Sequence, residues 1–322
     1  MIALWHNYQR MRSTGVLGMN CRNVEFISRY NERRLYPLVD DKLQTKLLAQ
    51  DYGVPTPKLQ FVVNTQHEVN GIESKLEALD SFVLKPAEGS GGKGILVVTG
   101  RAGENFVKAS GAEISIADVK RHMTNTLAGL HSLGGRADVV IVEDVIAFDN
   151  QFAGYSFEGV PDIRIVVFRG YPVMAMMRLA THASDGKANL HQGAVGVGLA
   201  IDSGRCLNAV QHSRRVTHHP DTGLDLGKID IPGWRDLLLL AAQCHDMTGL
   251  GYLGADIVLD KNLGPQLLEL NARPGLSIQI ANGRGLLPRL RHLETLPDSR
   301  RWQAARRVDY VIEHFREDAT AR

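Results

Sequence analysis

The sequence predicts an α+β protein built on antiparallel hairpins, and three stretches predict it. Residues 253–282 read as two strands joined by the turn Lys261-Asn262-Leu263-Gly264, because 255–258 and 266–270 are short alternating apolar runs bounded by turn residues. Residues 81–98 place a glycine-rich loop between two apolar runs. Residues 162–179 place Arg169-Gly170 between two more.

The chain has 322 residues, 44% of them hydrophobic, and a formal net charge of +2. That describes a soluble globular protein with room for one large or two to three modest domains. The charge is too mild for a nucleic-acid partner, and Arg33-Arg34, Arg214-Arg215, Arg300-Arg301 and Arg306-Arg307 read as solvated faces. Cys21, Cys206 and Cys244 are widely spaced, so neither a disulfide framework nor a structural zinc site is indicated, and a reducing cytoplasm fits. The N-terminus turns polar at His6 and Asn7, too early for a signal sequence, and no run approaches the ~18 apolar residues of a membrane helix.

Residues 1–39 are polar and irregular around a short helix expected over 24–30, an extension rather than a domain. Asp40-Asp41 caps a helix whose Leu43, Leu47 and Leu48 share a face, ended by Gly53, Pro55 and Pro57. Lys42, in its first turn, works against the helix dipole; it has either a further role or an exposed surface position. A strand follows over 59–63 and a helix over 68–79.

The loop after Lys85 contains Gly89-x-Gly91-x-x-Gly94, a literal dinucleotide fingerprint. That fingerprint needs a helix next, whereas Ile95-Leu96-Val97-Val98 reads as a second strand. A Walker loop is also excluded, since Gly94 follows Lys93 where Ser or Thr is needed. A glycine-rich loop between antiparallel strands is the arrangement that covers nucleotide triphosphates in kinases, its backbone N–H groups binding phosphate oxygens. A merely flexible hairpin is the competing reading; Lys85 before the loop and Lys93 inside it favour phosphate.

Residues 101–117 carry no clear element, and a helix is expected over 117–133, closed by Gly134-Gly135. A buried strand over 139–146 turns polar at Asp149-Asn150-Gln151, a hinge whose backbone can pair with an adenine edge. Glu143 and Asp149 also read as ordinary strand-end charges. In the hairpin over 162–179, period two puts Asp162, Arg164, Val166 and Phe168 on one face. An arginine on an apolar strand is costly unless it meets an anion, so Arg164 and Arg178 meet either a phosphate or carboxylate ligand or an internal acid. Asn189-Leu190-His191-Gln192-Gly193 is a polar turn before a strand over 194–201. His218-His219, with Asp221 and Asp225, lie in a long polar loop, and adjacent residues seldom bind one tetrahedral metal. A helix over 234–247 buries Leu237, Leu238, Ala241 and Cys244 and stops at Gly249. The last 40 residues read as amphipathic helices with Trp302, Ala305, Val308 and Val311 on one stripe.

In the hairpin over 253–271, Glu269 and Asn271 are two apart and share a face, on which Asp256 of the partner strand can also lie. Three oxygen donors without Cys or His suit Mg²⁺, which leaves positions for phosphates. The competing reading is an exposed hairpin edge with ordinary charges; the following Ala272-Arg273-Pro274-Gly275, a tight turn carrying a cation, favours a site.

Together these pieces resemble the ATP-grasp superfamily, and within it the RimK-type glutamate ligases, most closely the alpha-L-glutamate ligase-like proteins. The resemblance covers about residues 36–285 and rests on Asp162-Ile-Arg164, Asn189-Leu-His191-x-Gly193, Gly254-Ala-Asp256 and Glu269-Leu-Asn271-x-x-Pro274-Gly275. Leu17-Gly18-x-Asn20-x-Arg22-Asn23 and Asp40-Asp41-Lys42 look like the ligase-like subgroup. The resemblance implies an ATP-grasp fold, two α+β lobes sandwiching ATP. It implies that Lys42 and Lys85 hold ATP phosphates, under a loop of Glu88, Gly89, Ser90, Gly91, Gly92, Lys93 and Gly94. Glu143, Asp144, Val145 and Ile146 would form the adenine hinge, with Asp149 at the ribose and His191 also on the nucleotide side. Asp256, Glu269 and Asn271 would hold two Mg²⁺, with Mn²⁺ as a substitute, and Arg164, Arg178, Asn189 and Arg273 would face the reacting groups. Two departures stand out. RimK-type enzymes carry an N-terminal α/β domain where this chain has residues 1–36, and Arg273 replaces the small residue usual before Pro-Gly.

The implied organisation is an extension over 1–39, an N-lobe over 40–146, a C-lobe over 147–285 and C-terminal helices over 286–322. The implied activity is ATP-dependent ligation of a carboxylate to an amine through an acylphosphate, on small-molecule or peptide substrates such as glutamate, in the cytoplasm. Nucleic acid and membrane insertion are not expected, and a homo-oligomer is left open. A phosphotransferase on the same scaffold and a non-catalytic nucleotide-binding assembly protein are the alternatives.

Overall fold

Apolar runs separated by Gly, Asn and Pro turns pair into two antiparallel sheets, one in each of two units. The computed structural model describes residues 13–317 except Ser90, Leu133, Asp149, Ala153, Glu158 and 298–301. Ser90 and Asp149, both expected at the nucleotide, therefore lie outside the described residues.

The smaller unit comprises Asp40–Asp51 and Thr56–Ala147. In chain order its main elements are α1 (Lys42–Asp51), β1 (Leu59–Val63), β2 (Phe82–Pro86), β3 (Leu96–Ala102), β4 (Asn105–Lys108), β5 (Glu113–Ile114), α2 (Ile116–Leu127) and β6 (Val140–Glu143). The sheet order β1-β6-β2-β3-β4-β5 inserts β6 between β1 and β2. Phe82 and Leu84 of β2, Val98 of β3 and Val140 and Val142 of β6 pack against Val69, Ile72, Leu76, Val119 and Met123 from helices. Period two therefore turns Lys85 and Glu143 to the opposite face. Asp41 caps α1, its Oδ1 accepting from Leu43 N at 2.8 Å and Gln44 N at 3.1 Å.

Several expectations for this unit are corrected. The buried stripe of α1 is Thr45, Lys46 and Ala49, while Leu47 is 47% exposed. An ion pair made by Lys46 fixes that rotation of the helix. The helix expected over 68–79 breaks at Gly71 into Gln66–Asn70 and Ile72–Glu77. The one expected over 117–133 stops at Leu127, because Gly129 takes φ +81° in a place where a Cβ would lie 2.2 Å from the Arg136 carbonyl oxygen. The ladder of β6 ends at Glu143, and residues 101–117 hold β4, β5 and the start of α2.

The larger unit takes the chain up to Val39, Tyr52–Pro55, and everything from Phe148 onward. Its strands are β7 (Asp162–Phe168), β8 (Tyr171–Leu179), β9 (Val195–Leu199), β10 (Cys206–Gln211), β11 (Arg214–Arg215), β12 (Tyr252–Asp260) and β13 (Gly264–Asn271), in the order β11-β10-β9-β8-β7-β12-β13. Arg169 at φ 49° and Gly170 at φ 79° form the two-residue left-handed turn that matches strand twist. Helix α3 (Trp234–Thr248) packs on β12 and β7 and ends at Gly249, φ 72°. Helix α4 (Ser277–Asn282) covers β8 and β9, and α5 (Ala304–His314) lies on α3 and β8.

Two expectations change here. The inward stripe of α5 is Ala304, Arg307, Val308 and Val311, with Arg307 paired to Asp246 at 2.5 Å, so Ala305 is not part of it. The helix expected over 24–30 starts earlier and is π-helical over Arg22–Ile27. Beyond it, Asn31 bonds Tyr252 at both backbone groups, at 2.7 and 2.8 Å. Among the described residues, no helix is long and apolar enough to cross a membrane.

Candidate functional site

The register of the smaller sheet sets Val83 against Glu143 and Lys85 against Ile141, which makes Lys85 and Glu143 diagonal neighbours on one face. Lys85 Nζ lies 2.6 Å from Glu143 Oε1, and Lys46 Nζ, from α1, lies 2.7 Å from Oε2. The Lys46 contact has the distance of an ion pair without the angle of a hydrogen bond, which leaves Oε2 formally without a donor. Lys46 Nζ donates instead to the Pro57 carbonyl. All three side chains are at most 7% exposed. Burial pulls the Lys46 ammonium below its ordinary range, against the pull of Glu143. Two lysines on one carboxylate leave an excess positive charge in a dry setting, and such a charge favours an anion.

The glycine-rich loop is held at both stems. Asp138 accepts from Ala87 N at 3.1 Å, from Glu88 N, and from Ser132 Oγ at 2.5 Å, and Lys42 donates to the Gly89 carbonyl. At the other stem His122 Nε2 meets the Gly94 carbonyl at 2.9 Å, and a Cβ on Gly94 would sit 2.5 Å from the His131 ring. Between the stems Gly91, Gly92 and Lys93 are exposed. After β6, Asp144 N donates to Lys58 O at 3.0 Å and its carboxylate accepts from Gln60, while Val145 and Ile146 make no backbone hydrogen bond among the described residues. Their free backbone groups are what an adenine edge needs, whereas the Glu143 carboxylate is taken by the lysines.

In the larger unit the register lines charges across four strands. Asp256 stands opposite Arg164 on β7 and opposite Glu269 on β13, and Asp162 stands opposite Arg178 on β8. Directly opposed residues share a face. A bulge next to Asp256 and Glu269 interrupts the ladder there, a common device beside functional sites. Arg164 grips Asp256 through Nε at 2.6 Å and Nη2 at 2.5 Å. Arg178 grips Asp162 through Nε at 2.5 Å and Nη2 at 2.7 Å, and reaches Asp256 through Nη2 at 2.8 Å. Both arginines thus meet internal acids. Burial pushes Asp162 up to about 6 despite Arg178. Burial would raise Asp256 too, but two guanidinium groups hold it below its ordinary range.

Glu269 is half-buried and makes no hydrogen bond or ion pair among the described residues. Asn271 Nδ2 stands 3.5 Å from Asp256 Oδ2, too far for a strong bond. Among the described residues no three His, Cys, Asp or Glu side chains gather as a cation site; two acids and an amide gather here. The donors are hard oxygens with Glu269 unspent, which fits Mg²⁺, although arginines occupy Asp256.

The motif around this hairpin has a steric reason. A Cβ on Gly254 would lie 2.7 Å from Pro274 Cβ, so the Pro-Gly turn rests on β12, and Arg22 Nη1 holds the Pro274 carbonyl at 2.8 Å. Other expected residues stand apart from the charge row. Arg273 is exposed, its guanidinium 5.3 Å above the Tyr36 ring. Asn189 caps the turn at His191 N at 3.0 Å, and the His191 side chain is exposed. His219 is buried against the Ala180 carbonyl at 3.3 Å. Sequence reasoning missed Lys46, Asp138 and Asp162 as members of these groups. Lys46 had a signal, since four residues after Lys42 it shares that helix face; Asp138 had none.

No curated protein matches the chain. Solved structures that match include the ATP-grasp ligase PsnB with a phosphomimetic precursor variant, Mg and ADP, at 15% identity and TM-score 0.43, covering 81% of this chain and 59% of that one. A D-cycloserine synthetase matches at 15% and 0.44, covering 89% and 74%. D-alanyl-alanine synthetase A from Vibrio cholerae matches at 11% and 0.47, covering 87% and 66%. The chain spans 59–63% of the length of the PsnB structures at the head of these matches. The profile of the sugar-transfer associated ATP-grasp family matches residues 21–295, most of the chain and both sheets. The chain has the ATP-grasp fold and belongs to the sugar-transfer associated ATP-grasp family.

Proposed function

We propose that the protein is a cytoplasmic ATP- and Mg²⁺-dependent ligase that joins a carboxylate to an amine, in the manner of the RimK-type enzymes its motifs resemble. The observation that carries this reading is Glu269, a half-buried acid directly across from Asp256 and without a partner among the described residues. Lys42, Lys85 and the glycine-rich loop bind phosphates, and Val145 and Ile146 offer backbone groups to adenine. Glu269, Asn271 and Asp256 hold the metal, which when bound neutralises phosphate charge.

A substrate carboxylate oxygen attacks the γ-phosphorus of ATP and ADP leaves, giving an acylphosphate. The amine then attacks the carbonyl carbon, and phosphate and a proton depart. Positioning and charge neutralisation by lysine and arginine supply the rate, and no covalent nucleophile of the protein is needed. Arginines favour acidic substrates such as glutamate or an acidic peptide end, and the family's association with sugar transfer makes sugar-bearing amines worth offering as well.

The test is ADP release with Mg²⁺-ATP across amino acids, sugar-bearing amines and short acidic peptides, with products weighed by mass spectrometry. Release needing both an acid and an amine, with a product equal to their sum less water, establishes the ligase. Release indifferent to amine, with a phosphorylated product, replaces it by a phosphotransferase.

A further inference from the structure

The arginines on Asp256 pose a question that the ligase reading leaves open. A carboxylate offers about four acceptor positions, and guanidinium N–H groups fill three on Asp256: Arg164 Nε on Oδ1, and Arg164 Nη2 and Arg178 Nη2 on Oδ2. The fourth position remains on Oδ1 beside Arg164 Nε, so a cation ~2.1 Å from Oδ2, or held by both oxygens, meets a guanidinium already there. The two arginines are not equivalent. Arg178 has a second acid, Asp162, gripped through two nitrogens. Arg164 has no carboxylate but Asp256 among the described residues, and its side chain keeps 14% exposure.

We infer that Arg164 and the divalent cation are alternative partners of Asp256, so that arrival of the cation frees Arg164 for an anionic substrate while Asp162 keeps Arg178 in place. The inference rests on the metal assignment of the ligase reading. It makes Asp162 a positioning residue and orders the events: cation first, anionic substrate second.

Competition and simple charge repulsion separate in one substitution. Arg164→Lys keeps the positive charge and loses the two-pronged grip. Mn²⁺ binding to the full chain, without nucleotide, is measured by the loss of the free-ion paramagnetic resonance signal. Breaking a charge-assisted pair is worth roughly tenfold in affinity, so R164K binds Mn²⁺ roughly tenfold more tightly than wild type, and R164Q at least as tightly. Asp162→Asn lets Arg178 close on Asp256 and weakens Mn²⁺ binding. Wild-type affinity in R164K, with R164Q alone tighter, overturns the competition and leaves the metal site standing. Tighter binding in D162N overturns the role of Asp162. No Mn²⁺ binding in wild type, R164K or R164Q overturns the inference together with the metal assignment. If R164Q fails to fold, R164K still decides the matter, and a circular-dichroism melt of each variant shows which case applies.

Discussion

Each unit brackets one buried carboxylate with two cations, and the two brackets differ in kind. Glu143 lies between Lys46 and Lys85, with all three side chains at most 7% exposed. Asp256 lies between Arg164 and Arg178, which keep 14% and 13% exposure and have Asp162 and Glu269 as further acids on the same face. Lysine is a point charge that burial can discharge, whereas arginine is a planar fork that stays charged and trades partners. The smaller unit thus buries an excess of positive charge, suited to phosphate. The larger one holds three acids against two arginines, with the surplus at Glu269, suited to a divalent cation.

Removing each acid sharpens this contrast. Glu143→Gln leaves two buried ammonium groups without a carboxylate and is expected to cost about 3–5 kcal/mol in denaturant unfolding. A loss under about 1 kcal/mol would mean that the lysines are not both charged, and the comparison would break. Asp256→Asn is expected to cost less, about 1–3 kcal/mol, because Arg178 keeps Asp162 and both arginine side chains are less deeply buried than the lysines at Glu143. Equal losses would remove the distinction between a structural bracket and an exchangeable one. Glu269→Ala is expected to shift stability by no more than ~0.5 kcal/mol, since nothing pairs with it among the described residues, while Mn²⁺ binding and turnover disappear. A clear loss of stability there would show that Glu269 has a structural partner after all.

The smallest effect is one of pH. Burial holds His122 below its ordinary 6.5, with the Gly94 carbonyl acting the other way. The folded protein then takes up this proton less readily than the unfolded chain. Stability present above 6.5 is therefore lost as pH falls through the lower folded value. H122Q should flatten part of the acid limb of a melting-temperature profile between about pH 7 and pH 5. An unchanged limb would mean that His122 does not anchor the loop stem in its neutral form.

Much of this was legible in the chain. The hairpins follow from local alternation and from turns such as Arg169-Gly170 and Lys261-Asn262-Leu263-Gly264, since strand period and turn chemistry are properties of neighbouring residues. That Glu269 and Asn271 share a face follows from period two. The stripes of α1 and α5 were misread because periodicity counts apolar residues, whereas Lys46 and Arg307 are drawn inward by partners distant in sequence.

Taken alone, the sequence determined the hairpins, the glycine-rich loop and the hard-oxygen donors of the hairpin over 253–271. Tertiary structure decided which charges meet. The insertion of β6 between β1 and β2 brings Glu143 beside Lys85, with Lys46 reaching it from α1. The seating of β12 between β7 and β13 puts Asp256 between Arg164 and Glu269. An ion pair forms across whatever strands the sheet order makes neighbours, and that order is set by packing of the whole chain rather than by any local pattern.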